Sequence, residues 1–289
     1  MRIFILAVLV QWIVPCQAQK LPNEFFVFHN IISGDNTHKS YDSQVSLVKA
    51  NGFDGIEIGS EESFEEMIAA IDNNKFKCSS FYVKLKVEDK YIDPALQSAI
   101  KKLKDMGTVI SPHIVRGTPS PGGPTSAEDA AIVELLKELS TLCAEFGLQI
   151  ALYPHWNFYM ETTSHALDLV KKVNRKNVGL GFNLCHWLAT TNEQQRVDLY
   201  PHLRTLRPHL KIMSVNGANN VISMKQTIWD DYILPLGQGS FDTKALVEFM
   251  TGELGYRGPI GIQAFNIKGD RTALLQSTAD AVLLLRNGK

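Results

Sequence analysis

Three features of this sequence predict an α/β protein folded as a single (β/α)8 barrel. Short β-branched or aromatic runs recur at intervals of roughly 25 to 40 residues, most are followed by a longer amphipathic segment, and eight such pairs fill the chain. No linker, charge block or low-complexity stretch divides it. Parallel strands joined by helical crossovers produce this alternation, and a count of eight favours a closed barrel over an open doubly wound sheet.

The first pair is a strand over 25–29 and a helix over 41–50 that ends at Asn51-Gly52. A strand over 55–58 follows, then a helix over 63–72 in which Phe64, Met67, Ile68 and Ile71 share one face. The third strand spans 78–85; its helix opens at Asp93-Pro94, where Asp caps and Pro suits the first turn, and stops at Met106-Gly107. The fourth strand, 108–112, leads into Arg116-Gly117-Thr118-Pro119-Ser120-Pro121-Gly122-Gly123-Pro124. A turn-rich loop of that length in a compact domain points to function.

The next helix starts at Ser126 with Asp129 at its third position, buries Ile132, Leu135, Leu136 and Leu139, and ends at Phe146-Gly147. Strand five covers 148–153 with a helix over 163–173, strand six 178–182 with a helix over 192–206, and strand seven 211–215. The stretch 216–242 reads as irregular. Asp242 then caps a helix reaching Leu254, strand eight covers 259–263, and a helix over 271–285 closes the chain.

Residues 1–18 stand apart from this pattern. Arg2 supplies a positive start, Ile3 to Val10 an apolar run, and Cys16-Gln17-Ala18 a small-residue exit, which together read as a cleaved signal peptide leaving Gln19 first. A lipidated Cys16 is the alternative, with Pro15 a poor residue before it. The expected domains are therefore a leader, 1–18, and a barrel, 19–289, with the mature protein secreted or periplasmic. No later run approaches the length of a membrane span, so no stable transmembrane segment is expected.

The 289 residues carry a formal charge of -1, and loss of Arg2 with the leader would take it to -2. Near-neutrality gives no reason to expect a nucleic-acid partner. Cys78, Cys143 and Cys185 remain after the leader; an odd number in a chain of this size reads as buried thiols, with one bridge open and no disulfide framework.

Barrel enzymes build their sites at the carboxyl ends of the strands, and there the sequence places His29, Glu57, Lys84, His113, His155, Asn183, His186, Asn216 and Gln263. Glu57 lies among apolar residues, where a carboxylate is costly unless paired, protonated or ligand-bound. It reads either as a general base or substrate-hydroxyl acceptor, or as a structural carboxylate held by backbone N–H groups or Lys84. His113 and His155 are candidates for proton transfer or metal binding, with structural roles as the alternative.

Trp156 offers a platform for the C–H face of a sugar, or packs. Asn183, His186, Asn216 and Gln263 add hydrogen-bonding groups that discriminate hydroxyl orientation without charge. Cys185, among apolar neighbours, reads as a buried thiol ahead of a nucleophile. Gly237-Gln238-Gly239 reads as a tight turn, and no dinucleotide or Walker fingerprint is present.

Gly52-Phe53-Asp54-Gly55-Ile56-Glu57, Gly181-Phe182-Asn183-Leu184-Cys185-His186, Val215-Asn216-Gly217, Leu236-Gly237-Gln238-Gly239-Ser240-Phe241-Asp242 and the run from Gly255 to Gln263 carry a resemblance to a known family. The chain resembles the xylose-isomerase-like TIM barrels, the sugar phosphate isomerase/epimerase family, over nearly all of residues 19–289. The resemblance implies isomerisation or epimerisation of carbohydrate-like substrates and a divalent metal held by two acidic residues, an Asp and a His on the later strands. Here strand five has Tyr153 and His155, and strands six, seven and eight offer Asn183, Asn216 and Gln263 in place of acidic ligands, a poor set for a hard cation.

No cofactor is therefore assigned as a requirement. A single divalent transition metal on His113, His155 and His186 stays open. The resulting expectation is an extracytoplasmic isomerase, epimerase or related lyase acting by proton transfer on an unphosphorylated sugar or keto-sugar. Glu57, His113 and His155 would be catalytic, and Lys84, Trp156, Asn183, His186, Asn216 and Gln263 would bind substrate. A non-catalytic carbohydrate-binding barrel is the alternative.

Overall fold

A computed structural model describes residues 21–118 and 123–288. The leader reading of residues 1–18 lies outside the described residues, as do positions 119–122 of the turn-rich loop.

Eight strands, β1 (Phe25–Val27), β2 (Gly55–Ile58), β3 (Cys78–Lys86), β4 (Val109–Val115), β5 (Gln149–Leu152), β6 (Val178–Asn183), β7 (Leu210–Val215) and β8 (Ile260–Ile262), pair in sequence order. Every pairing is parallel, and β1 meets β8, with Phe26 opposite Gly261, to close the barrel. The strands therefore have no free edge, and a crossover returns the chain to the same end after each one. Among the described residues no helix is long and apolar enough to cross a membrane.

Two apolar layers follow from the period-2 alternation of the strands. Outward residues such as Ile56, Phe81, Ile110, Ile150 and Leu180 pack against the helices in the main core. Inward residues form a smaller cluster of Phe26, Phe28, Val109, Ala151, Tyr153 and Ile212, with Tyr82 against it. Two phenyl rings fit inside so narrow a barrel because β8 contributes Gly261: a Cβ there would lie 2.5 Å from Phe26 and 2.6 Å from Phe28.

Helix boundaries follow local chemistry closely in several places. Asp93 caps Pro94–Lys102 with Pro in the first turn, and Thr162 caps Thr163–Val173. The cap of Ser126–Glu145 is Thr125 with Glu128 closing a capping box, so Glu128 occupies the position expected of Asp129. Asp129 instead holds His165, Lys172 and the Tyr159 hydroxyl. The single helix expected over 192–206 is two pieces, Glu193–Val197 and Leu199–Leu206, the first opened by the Asn192 capping box and the two separated where Asp198 breaks the turn, and a further helix, Leu184–Thr190, precedes them. Cys78, Cys143 and Cys185 are all buried free thiols.

Candidate active site

The inward rows of the strands surface at one end of the barrel. Glu57 ends the row of β2, Ser80, Tyr82 and Lys84 form that of β3, and Ser111 and His113 that of β4; Tyr153 and His155 continue β5, Asn183 ends β6, and Gln263 follows β8. Over them opens a cavity of about 620 Å³ whose walls include His29, Glu57, Tyr82, Tyr153, His155, Trp156, His186 and Gln263. Phe28, Tyr41, Phe158, Trp229 and Phe265 add aromatic surface, and among the described lining residues there is no Lys or Arg.

Glu57 is 5 % exposed, and its Oε2 is buried without a hydrogen-bond partner. Burial alone pushes its carboxyl well above the usual range, so the group is held protonated or awaits a partner. Neither backbone N–H groups nor Lys84 hold it. Lys84 is exposed at the barrel rim, its backbone N–H donates to Glu61, and its side chain does not line the cavity. This departs from the expected substrate-binding role.

The histidines separate into two groups. His155 and His186 line the cavity with ring centroids 4.0 Å apart, and His155 stacks on Phe158 at 3.8 Å. Burial lowers His155 to about 4 and, with the neighbouring His155 charge, depresses His186 well below its ordinary value, so both are neutral near pH 7. His113 sits a step away: it stacks on Tyr82 at 4.0 Å, has a buried Nδ1 without a partner and does not line the cavity. Burial, then the charges of His155 and Lys84, brings it down to about 3. Its expected catalytic role is therefore not one of direct contact with a ligand in this cavity.

The amides also divide. Gln263 lines the cavity; its Oε1 accepts from the Asn30 side chain and from the Ala264 and Phe265 N–H groups, and its NH2 is turned toward the Tyr153 hydroxyl. Asn183 lies below, donating to the Tyr153 hydroxyl and accepting from the Cys185 thiol at 3.0 Å. Asn216 is fully buried and donates to the Gly217 and Tyr232 carbonyls, both at 2.6 Å. Asn183 and Asn216 thus brace the floor and the strand-seven loop; neither reaches the cavity where a substrate contact was expected.

These engagements decide how a divalent metal would fit. The three amides are neutral, and their hydrogen bonds already orient Asn183, Asn216 and Gln263. Among the described residues no group of three or more His, Cys, Asp or Glu is placed to hold a metal ion, and the set His113, His155 and His186 does not converge into one. The residues present do not fit the metal that the resemblance implies.

Tyr82 and Trp229 line the cavity without having been anticipated, and His186, which was anticipated, arrives on a different element. Tyr82 occupies the inward row two residues before Lys84, and strand parity alone would have pointed to it. His186 comes from the first turn of Leu184–Thr190 and not from an extended strand exit. Trp229 is carried by the one-turn helix Trp229–Tyr232 inside the stretch read as irregular; its ring stands perpendicular to His186 at 5.3 Å and to Trp156 at 5.5 Å.

The chain belongs to the family described as xylose isomerase-like TIM barrel, whose model matches residues 45–287. Over 156 residues it is 28% identical to 3-dehydroshikimate dehydratase of Pseudomonas aeruginosa, a match covering 53% of this chain and only 23% of that protein. Among solved structures, 3-keto-D-glucoside 4-epimerase from E. coli superposes with a TM-score of 0.67 at 18% identity, covering 91% of this chain and 99% of that one. The IOLI protein, solved with a binding zinc atom, gives 0.68 at 17% identity over 92% and 98% of the two chains. At these identities the solved structures share the fold.

Proposed function

We propose that the barrel acts on an uncharged sugar or keto-sugar by proton transfer beside a carbonyl, as an isomerase, epimerase or related lyase. One observation carries this reading: Glu57, His155, His186 and Gln263 face a cavity walled by aromatic rings, and among the described residues none that lines it is a Lys or Arg. Rings such as Trp156 and Trp229 accept the C–H face of a pyranose or cyclitol, while imidazole, carboxyl and amide groups meet its oxygens. A phosphate or carboxylate would lie unpaired beside Glu57, at the cost of burying a charge without a counter-ion. The 3-keto-glucoside named for one relative therefore suits the cavity better than the carboxylate substrate named for another.

A panel assay tests this. Neutral keto-sugars, the corresponding sugar phosphates and 3-dehydroshikimate are incubated with the protein at equal concentration. Turnover of a neutral member with no activity on the anions is expected. Turnover confined to phosphorylated or carboxylated substrates would refute the reading.

The same proposal places the mature protein outside the cytoplasm, on the strength of Arg2, the apolar run after it and the Cys16-Gln17-Ala18 exit. Mass spectrometry of protein from its native host is expected to find Gln19 first. Retained Met1 would exclude cleavage.

A further inference from the structure

His155 and His186 are bound by the two halves of one residue. The His155 Nδ1 lies 2.8 Å from the Trp156 carbonyl oxygen, and the Trp156 N–H donates to the His186 Nδ1 across 3.4 Å. A carbonyl oxygen only accepts, so the His155 proton must sit on Nδ1. A backbone N–H only donates, so the His186 Nδ1 must carry its lone pair. Each contact fixes the opposite nitrogen of its ring.

We infer that the Trp156 backbone locks His155 and His186 into opposite neutral tautomers, so that the cavity meets one imidazole lone pair, on His155 Nε2, and one imidazole N–H, on His186 Nε2. Neither Nε2 has a protein partner among the described residues, neither is among the buried unpartnered atoms, and both rings line the cavity. Phe158 stacked on His155 and Trp229 across His186 hold the ring planes. Trp156 is the positioning residue, through its peptide groups and not its indole.

The roles that follow rest on the proton-transfer reading above. The C–H bond beside a substrate carbonyl breaks, and its proton passes to His155 Nε2. The C–H electron pair becomes the C=C bond of an enolate, and the carbonyl π pair moves to oxygen, which accepts the His186 Nε2–H hydrogen bond. Two imidazoles in the same tautomer would offer two bases or two donors and could not divide the work in this way.

The test reads tautomers directly and needs no substrate. Nitrogen-15 NMR of the histidines in the full-length protein near pH 7.5, assigned through His155→Gln and His186→Gln, is expected to show protonated Nδ1 with bare Nε2 for His155 and the reverse for His186. A neutron structure of the unsubstituted protein gives the same answer should either variant fail to fold. The same tautomer at both residues, or a mixture at either, overturns the inference. Hydrogen exchange from D2O into a 3-keto-D-glucoside then separates this from the functional reading: absence of exchange with the opposed tautomers present would refute the substrate class and leave the lock standing.

Discussion

A carboxyl that is buried, unpartnered on one oxygen and open to a cavity gives Glu57 a pH signature of its own. Its folded affinity for a proton is raised above the ordinary 4.5, so the folded state holds a proton that the unfolded chain releases. Stability from this group is complete below 4.5 and is lost as pH rises toward the folded value. Glu57→Gln does not titrate. The variant should therefore gain in melting temperature over the parent as pH is raised from 5 to 8, while its turnover falls by about 10²–10⁴-fold if Glu57 transfers a proton. Equal pH profiles in thermal unfolding would contradict the account.

The histidines act in the opposite direction. Burial lowers His113 to about 3 and His155 to about 4 from 6.5, so the unfolded chain takes up protons that the folded one refuses. Their contribution is complete above 6.5 and is lost as pH falls from there toward 4. Urea midpoints measured between pH 7 and 4 should decline, and substituting His113 by Phe should flatten part of that decline. Strand parity made much of this site legible: Glu57, His155 and Gln263 lie at the ends of inward rows. The same rule misplaced Lys84, because the β3 row has left the barrel mouth by that position and Tyr82 is its last residue inside.

At the scale of elements, the strand-seven loop shapes the cavity wall. Gly217 pairs with Leu234 in an isolated antiparallel bridge, and a Cβ at Gly217 would lie 2.0 Å from the Pro235 carbonyl oxygen and 2.6 Å from that of Gln238. Neither backbone atom has room to yield without moving the segment that carries Trp229 and Ile233, which both line the cavity. Gly217→Ala is expected to destabilise the fold by about 3 kcal/mol or more and to loosen the Trp229 ring, read as a lower melting temperature and a shifted indole fluorescence. Unchanged values for both would show that the loop does not brace the site.

This loop was also the least legible element. Trp229–Tyr232 is a single helical turn fixed by tertiary contacts, with no side-chain cap to announce it. The helix Leu184–Thr190 likewise starts at the end of β6 without a side-chain cap hydrogen bond. Its sequence is apolar enough to pass for more strand, so the geometry that brings His186 beside His155 was hidden. Thr163–Val173, by contrast, carries Thr162 as its cap and an apolar stripe, and its bounds were readable from sequence alone.

At the scale of the whole molecule, closure of the barrel is what joins residues as distant as Glu57 and Gln263 in one cavity. Parallel alternation sets all strand ends facing the same way, so the count of eight carried most of the architecture, while the engagement of each amide depended on neighbours that only the fold assembles. Asn183 and Asn216 sit at strand ends as expected, yet they are spent on Tyr153 and on backbone carbonyls. With those amides neutral and held by the bonds of their NH2 groups, the protein should behave as one without a resident hard cation. Binding at a hundredfold excess over Kd would stabilise it by about 2.7 kcal/mol. No rise in melting temperature is expected when magnesium or manganese is added to chelator-treated protein, and a rise of several degrees would show a site that the donor set does not explain.

Proton transfer at an uncharged keto-sugar is most directly tested by isotope exchange. Chelator-treated protein is incubated in D2O with a 3-keto-D-glucoside, and deuterium entering the carbon beside the carbonyl is followed by proton NMR. The expected result is enzyme-dependent exchange, reduced by about 10²–10⁴-fold in folded Glu57→Gln or His155→Gln protein. Exchange at the parent rate in both variants would contradict the account, as would its absence with neutral keto-sugars while a phosphorylated or carboxylated substrate is turned over.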